Sequence, residues 1–299
     1  MLKTRLITAV ILLAVFLPMI FCPGTTHLLS LLVIGVLTLA AWEWARLLKL
    51  APKLRISYAA LVGLLLSCLA LAPAQIKGSL QDVSPGFFSV GGWWPILYWI
   101  AALFWGAVVP FILLRKPMLA EGPWRVFLLL VGFVVFAVGW DALMAAHQVG
   151  PTFLISVLLV VWLADSGAYF AGKRFGQHKL APLISPGKTW EGVLGAWLLV
   201  LSSMAVVVGA SRAFGVPPFA AYVSSFSGWL GLLIILTLLV GVGVAGDLFE
   251  SLMKRQAGLK DSSALLPGHG GILDRLDALL PMLTLAVGLY GGLVRLAPL

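Results

Sequence analysis

The feature that most constrains this chain is a succession of apolar runs of about 20 residues, each long enough to cross a hydrocarbon core of roughly 30 Å as a helix. Nine such runs lie near 6–22, 27–47, 56–73, 94–114, 124–146, 151–171, 190–210, 229–250 and 276–297. The first is short and interrupted by Pro18. The expected fold is therefore all-α: a polytopic integral membrane protein of about nine transmembrane helices. A mean hydropathy of +1.07, with only 10% charged residues, excludes reading the 299 residues as one or two soluble domains.

The basic start at Lys3 and Arg5 could open a signal peptide. No small-x-small cleavage site follows, and Phe21 before Cys22 does not suit lipid attachment, so the first run is read as an uncleaved anchor. Cys22 and Cys68 are too few for a disulfide framework or a cysteine metal site.

The net charge of +9 reads as topology rather than nucleic-acid binding. When sides alternate at each helix, one side collects 17 of the 20 lysines and arginines; only Lys77, Arg212 and Arg295 fall on the other. The positive-inside rule then expects a cytoplasmic N-terminus and, with nine helices, an external C-terminus. The expected location is the bacterial cytoplasmic (inner) membrane.

Residues 1–150 carry no metal or phosphate motif and are expected to serve as support, dimer or lipid contacts. Glu43 is expected to pair with Arg46 at helical spacing. Residues 75–94 read as an external loop, with Trp93, Trp94, Tyr98 and Trp99 as interfacial anchors. Asp141 is given no chemistry.

Residues 151–299 form the expected catalytic part. From Ser251 to Asp277 the chain reads SLMKRQAGLKDSSALLPGHGGILDRLD, a dense polar cluster between two apolar runs. Asp247 and Glu250 lie three apart near the end of one helix, with Ser251 on the same face as Asp247. Asp274 and Asp277 are three apart at the start of the next, and Asp165 sits in Trp-Leu-Ala-Asp-Ser-Gly. Ionised carboxylates at such depth cost several kcal/mol each, and a shared cation removes much of that cost. Oxygen ligands without cysteine suit Mg²⁺. The competing reading pairs these acids with Lys254, Arg255 and Arg275. Two segments suit phosphate. Ser185-Pro186-Gly187-Lys188-Thr189 leads into a helix that Thr189 can cap, offering free amides and a mobile lysine. It is no Walker motif, because Pro182 stands where a glycine is required. Pro267-Gly268-His269-Gly270-Gly271 lets backbone amides approach an anion, with Lys254, Arg255, Lys260 and Arg275 around it. Acids for a divalent cation, glycine loops and basic side chains on one face together point to phosphoryl or nucleotidyl transfer at a membrane surface.

Those residues carry a resemblance. Ser251-x-x-Lys254-Arg255, Lys260-Asp261 and Pro267-x-His269-Gly270-Gly271-x-x-Asp274-Arg275-x-Asp277 resemble the signature of the phosphatidate cytidylyltransferases, or CDP-diacylglycerol synthases. Asp165-Ser166-x-x-Tyr169, Gly172, Gly176 and Ser185-Pro186-x-Lys188-Thr189-x-Glu191-Gly192 resemble the same family. The resemblance spans roughly 160–280 and implies CTP and phosphatidate as substrates, Mg²⁺ with a second monovalent cation such as K⁺, and a homodimer. It implies that Asp247 and Asp274 bind the metal, supported by Asp165, Glu250 and Asp277. Ser185, Lys188, Thr189, Ser251, Lys254, Arg255, Lys260, His269, Gly270, Gly271 and Arg275 are the expected substrate contacts. A CTP-dependent lipid or polyprenol kinase is the alternative within enzymes. An ion-coupled transporter is the alternative outside them.

Asp274→Asn is expected to leave the fold intact and remove nearly all Mg²⁺-dependent turnover; wild-type-like activity in that variant would defeat the metal assignment.

Overall fold

The computed structural model describes residues 2–72, 94–211 and 217–296. Its helices are α1 (Leu2–Phe21), α2 (Thr26–Leu47), α3 (Pro52–Leu71), α4 (Trp94–Arg115), α5 (Gly122–Val149) and α6 (Pro151–Phe175). A hairpin of β1 (Lys179–Ala181) and β2 (Ser185–Thr189) follows. Then come α7 (Trp190–Gly209), α8 (Phe219–Gln256), the short α9 (Leu273–Leu276) and α10 (Leu279–Leu296). Among the described residues eight helices are long and apolar enough to cross a membrane: α2 through α8, and the unit Leu273–Leu293. The expected external loop at 75–94 lies outside the described residues except for Trp94.

Outward faces confirm the solvent these helices are built for. Leu61, Leu64, Leu198, Val206 and Leu230 are each more than half exposed. This is the all-α polytopic membrane fold. Two local breaks have covalent causes. Pro110 cannot donate to the carbonyl four residues back, and α4 carries a π turn over Phe104–Val108. Gly228 (φ 66°, ψ −173°) interrupts α8 just where the apolar run was expected to begin.

Glycine seams set the positions that matter most. A Cβ on Gly167 of α6 would stand 2.6 Å from the Gly195 carbonyl oxygen of α7, and one on Gly192 would stand 3.0 Å from that of Ala168. The backbones touch because these positions lack side chains. On α8, a Cβ at Gly243 would meet Met282 Sδ at 2.5 Å, and one at Gly246 would lie 2.7 Å from Pro281 Cγ and strike the Asp277 carbonyl. The α8 backbone therefore lies against the start of α10, beside Asp247.

Two apolar clusters fill the interior. One joins α4, α5, α6, α7, α8 and α10; the other joins α2, α3, α4 and α5 to the last turns of α8. Phe249 belongs to the second, with ring centroids 5.7 Å from Trp44 and 5.7 Å from Phe104. The residue beside Glu250 is thus held by helices from the first half of the chain. The aromatic belt expectation needs correction. Trp94 and Tyr98 are buried, and Tyr98 donates to the Asp141 carboxylate at 3.0 Å. Trp99 alone of the described three is exposed. Positions 94, 98 and 101 share the helix face that packs against α5 and α10, so packing claims them.

Gly195→Val should overpack the α6–α7 seam at a cost of about 1–3 kcal/mol or more. Melting in detergent should fall well below wild type, whereas Gly209→Val, with nothing within 4 Å of its new Cβ, should not. Equal melting of the two variants would sink the close-packed seam.

Candidate active site at one membrane face

A cavity of about 460 Å³ opens where the C-terminal ends of α6 and α8 meet the starts of α7 and α9. Asp165, Lys188, Thr189, Asp247, Lys254, Asp261, Asp274, Arg275 and Asp277 line its polar part. Asp247 and Asp274 therefore face the same space. Asp247 lies nine residues before the end of α8, about 14 Å along the axis, so the site is recessed.

Two lysines already occupy cation positions. Lys188 Nζ is 2.5 Å from Asp247 Oδ2, and Ser251 Oγ donates to Asp247 Oδ1 at 3.4 Å. Lys254 Nζ lies 2.5 Å from Asp274 Oδ1 and also pairs with Glu250, which is 3% exposed. The pairing of acids with basic residues thus falls on Lys188 and Lys254. Arg255 instead donates to the carbonyls of Ile184 and Leu259, and Arg275 to that of His269 at 2.9 Å.

The hairpin delivers Lys188. Its register pairs Lys179 with Thr189 and Ala181 with Ser185. Thr189 caps α7, its Oγ1 accepting the Gly192 amide at 3.1 Å, as the sequence expects. The expectation of free amides there is corrected, because the Trp190 amide is spent on the His178 carbonyl at 3.0 Å. Glu191 closes the other side, accepting from His178 Nδ1 at 2.6 Å. A Cβ on Gly176 would collide with the Thr189 side chain, so hairpin and α6 end in contact.

Several amides of the glycine loop are engaged within the protein. Leu266-Pro267-Gly268-His269 makes a tight turn closed by His269 N–H to the Leu266 carbonyl at 2.9 Å, with Gly268 at φ 77°. The following amides hold the protein's own carboxylates. Gly271 N donates to Asp274 Oδ2 at 2.8 Å, as does Ser262 N at 3.0 Å, and Ser262 Oγ lies 3.0 Å from the same oxygen. Ile272 N and Leu273 N donate to Glu43 at 3.0 and 2.6 Å. Glu43 is fully buried and is not paired with Arg46, whose Nη1 donates to the Ser262 carbonyl at 2.6 Å. The expected Glu43–Arg46 pair gives way because both side chains reach the loop.

The remaining expected contacts divide. Lys260, His269, Gly270 and Arg275 line a second cavity of about 710 Å³ on the other side of the loop, and Asp261 and Arg275 line both cavities. Ser185, Ser251, Arg255 and Gly271 line neither; Ser185 pairs with Ala181 within the hairpin, and Arg255 ties the hairpin to α8 through the Ile184 carbonyl. Glu43, Ser262 and Ser263 were not signalled by spacing, since their partners lie more than 200 positions apart.

The donor set fits a hard cation in chemistry. Five carboxylates (Asp165, Asp247, Asp261, Asp274, Asp277) line the first cavity against three basic groups (Lys188, Lys254, Arg275). An excess of clustered, partly buried anions favours a bound cation. Among the described residues no three Asp, Glu, His or Cys side chains are gathered tightly enough to enclose a metal ion, and lysines pair with Asp247 and Asp274.

Comparison with known proteins places this geometry in context. Residues 3–291 match the model of the cytidylyltransferase family. A phosphatidate cytidylyltransferase of Pseudomonas aeruginosa is 36% identical over 98% of this chain and 97% of its own. Proteins of the same name from Haemophilus influenzae and Staphylococcus haemolyticus are 32% and 30% identical, over 93% and 95% of this chain and 95% and 96% of theirs.

Lys254→Met leaves Glu250 and Asp274 facing each other without a countercharge, and should destabilise the protein by about 3–5 kcal/mol. Adding Glu250→Gln should restore part of that loss in detergent melting. A double variant no more stable than Lys254→Met would contradict the shared-lysine arrangement.

Proposed function

The chain belongs to the cytidylyltransferase family, and we propose that it transfers the cytidylyl group of CTP to phosphatidate, releasing CDP-diacylglycerol and pyrophosphate. The observation that carries this reading is the two-part lining of the recessed cavity. Its mouth is ionic, and its floor is apolar, made by Ala164, Val193, Ala196, Val240, Val244 and Met282. A ligand with a phosphate at the interface and acyl chains in the bilayer matches both parts. A wholly water-soluble substrate would leave the apolar floor without a partner.

On this reading the lipid phosphate lies near Lys188 and Arg275. CTP enters through the second cavity, where Lys260, His269 and Arg275 face its phosphates. Arg275 lines both spaces and so stands at the junction of the two substrates. A lipid-phosphate oxygen forms a bond to the α-phosphorus of CTP while the bond from that phosphorus to the β-bridging oxygen breaks, and pyrophosphate carries the electron pair away. The nucleophile is already anionic, so no base need remove a proton. The residues' work is to hold two anions together: at about 4 Å, like charges repel by roughly 4 kcal/mol even at an effective dielectric of 20.

Mg²⁺ is part of the proposal. Asp247 and Asp274 would hold it, with Asp165, Glu250 and Asp277 around them, and it would supply charge neutralisation of the triphosphate. Lys188 on Asp247 and Lys254 on Asp274 Oδ1 support this, because ammonium groups sit on those carboxylates now. A neighbouring monovalent cation and a homodimer belong to the same proposal and rest on the signature's resemblance. So does the orientation. Glu43 on the last turns of α2 accepts from Ile272 N and Lys254 on the last turn of α8 pairs with Asp274, so the ends of both helices lie at one face, read as cytoplasmic by the basic residues gathered there.

Purified protein with phosphatidate and CTP labelled at the α-phosphate should put label into the lipid, whereas label at the γ-phosphate should leave as pyrophosphate. Chelation should abolish turnover and Mg²⁺ should restore it. Lipid labelled from the γ-position would identify a kinase instead.

A further inference from the structure

We propose that Glu43, on α2, is a positioning residue for cytidylyl transfer: its carboxylate clamps the loop that presents Asp274, Arg275 and Asp277 to the cavity. This rests on the function proposed above. The geometry is unusual for an acid in a membrane helix. Glu43 is fully buried, yet no lysine, arginine or histidine balances it by a described ion pair. Four donors do so instead. Oε1 accepts from Ile272 N at 3.0 Å and from Ser263 Oγ; Oε2 accepts from Leu273 N at 2.6 Å and from Ser262 Oγ at 3.0 Å. Each oxygen thus takes one backbone amide and one hydroxyl.

The clamp reaches the chemistry in two ways. Ser262 Oγ is also 3.0 Å from Asp274 Oδ2, so one hydroxyl bridges Glu43 to an acid of the cavity. The amides that Glu43 fixes belong to residues immediately before Asp274 and Arg275, so their backbone position sets where those side chains project. Space is tight: a Cβ on Gly271 would lie 2.6 and 2.8 Å from the two Glu43 oxygens. Glycine here is needed for the approach of the Ser262 hydroxyl, which that Cβ would strike, and of the carboxylate, not for backbone freedom. Arg46 completes the grip by holding the Ser262 carbonyl.

The charge itself is required. Hydroxyls can turn to accept a hydrogen bond, but a backbone N–H cannot. In Glu43→Gln one amide hydrogen must therefore face the new NH₂ group, whichever way the side chain flips. In Glu43→Asp the carboxylate retreats by one methylene and loses contact with the amides.

Three measurements test this on the full-length protein in detergent: steady-state kinetics with CTP and phosphatidate, melting temperature, and amide hydrogen exchange. For Glu43→Gln, kcat should fall at least about tenfold, since small misplacements of reacting groups are costly. KM for phosphatidate should change little, because the apolar floor is untouched. Exchange at Ile272 and Leu273 should quicken while α6 and α7 stay protected. Ser263→Ala, which removes one hydroxyl and no charge, should give the same pattern with about a fivefold loss; it decides the matter if Glu43→Gln does not fold. Unchanged kcat and exchange in either variant would overturn the proposal. So would protection lost evenly through all helices, which marks a purely structural acid. An inactive wild-type protein would defeat the functional reading instead, and exchange at 272–273 would still report on the clamp.

Discussion

The structure depends on how recessed negative charge is balanced. Asp165, Asp247, Glu250, Asp261, Asp274 and Asp277 crowd one end of the helix bundle, several of them well inside the span. Isolated, each would be costly in a low-dielectric setting. Three devices meet that cost: lysines drawn from a neighbouring hairpin and from the same helix, backbone amides of a glycine loop, and serine hydroxyls. The balance leaves acids in excess on the cavity wall.

The same requirement explains why the first half of the chain, which lacks any motif, cannot be regarded as mere packing. Phe249 lies among Trp44, Phe104 and Trp105, and Gln256 bonds the Pro117 carbonyl and the Leu119 amide, so α8 is held from the N-terminal side along its last turns. Glu43 and Arg46 reach across to the signature loop. Both cavities are lined by residues of the second half, and side chains of the first half brace the loop and the helix that carry them.

Close backbone approach does the positioning. The α6–α7 seam at Gly167 and Gly195 and the α8–α10 seam at Gly243 and Gly246 bring Asp165, Lys188, Asp247 and Asp277 to one cavity. Lipid surrounds these helices, so apolar burial gives little drive for their association; van der Waals contact between small residues and interhelical hydrogen bonds must supply it. Tyr58 to the Leu129 carbonyl, Trp44 to that of Leu128 and Ser156 to the Phe219 amide are such bonds.

The sequence by itself determined the elements and the chemistry. Apolar runs of spanning length place the helices, because an unpaired backbone is not tolerated in hydrocarbon. Local spacing finds Thr189 as a cap, Ser251 beside Asp247, and a signature whose length makes it specific. What only the tertiary structure decided were the partners. Glu43 pairs with amides 229 and 230 positions away rather than with Arg46. The amides of Gly271, Ile272 and Leu273 hold Asp274 and Glu43. Tyr98 turns inward to Asp141. The reason is physical: a helix or turn is written in neighbours a few residues apart, whereas a buried charge is satisfied by whichever donors folding brings to it, and that choice follows the packing of distant helices.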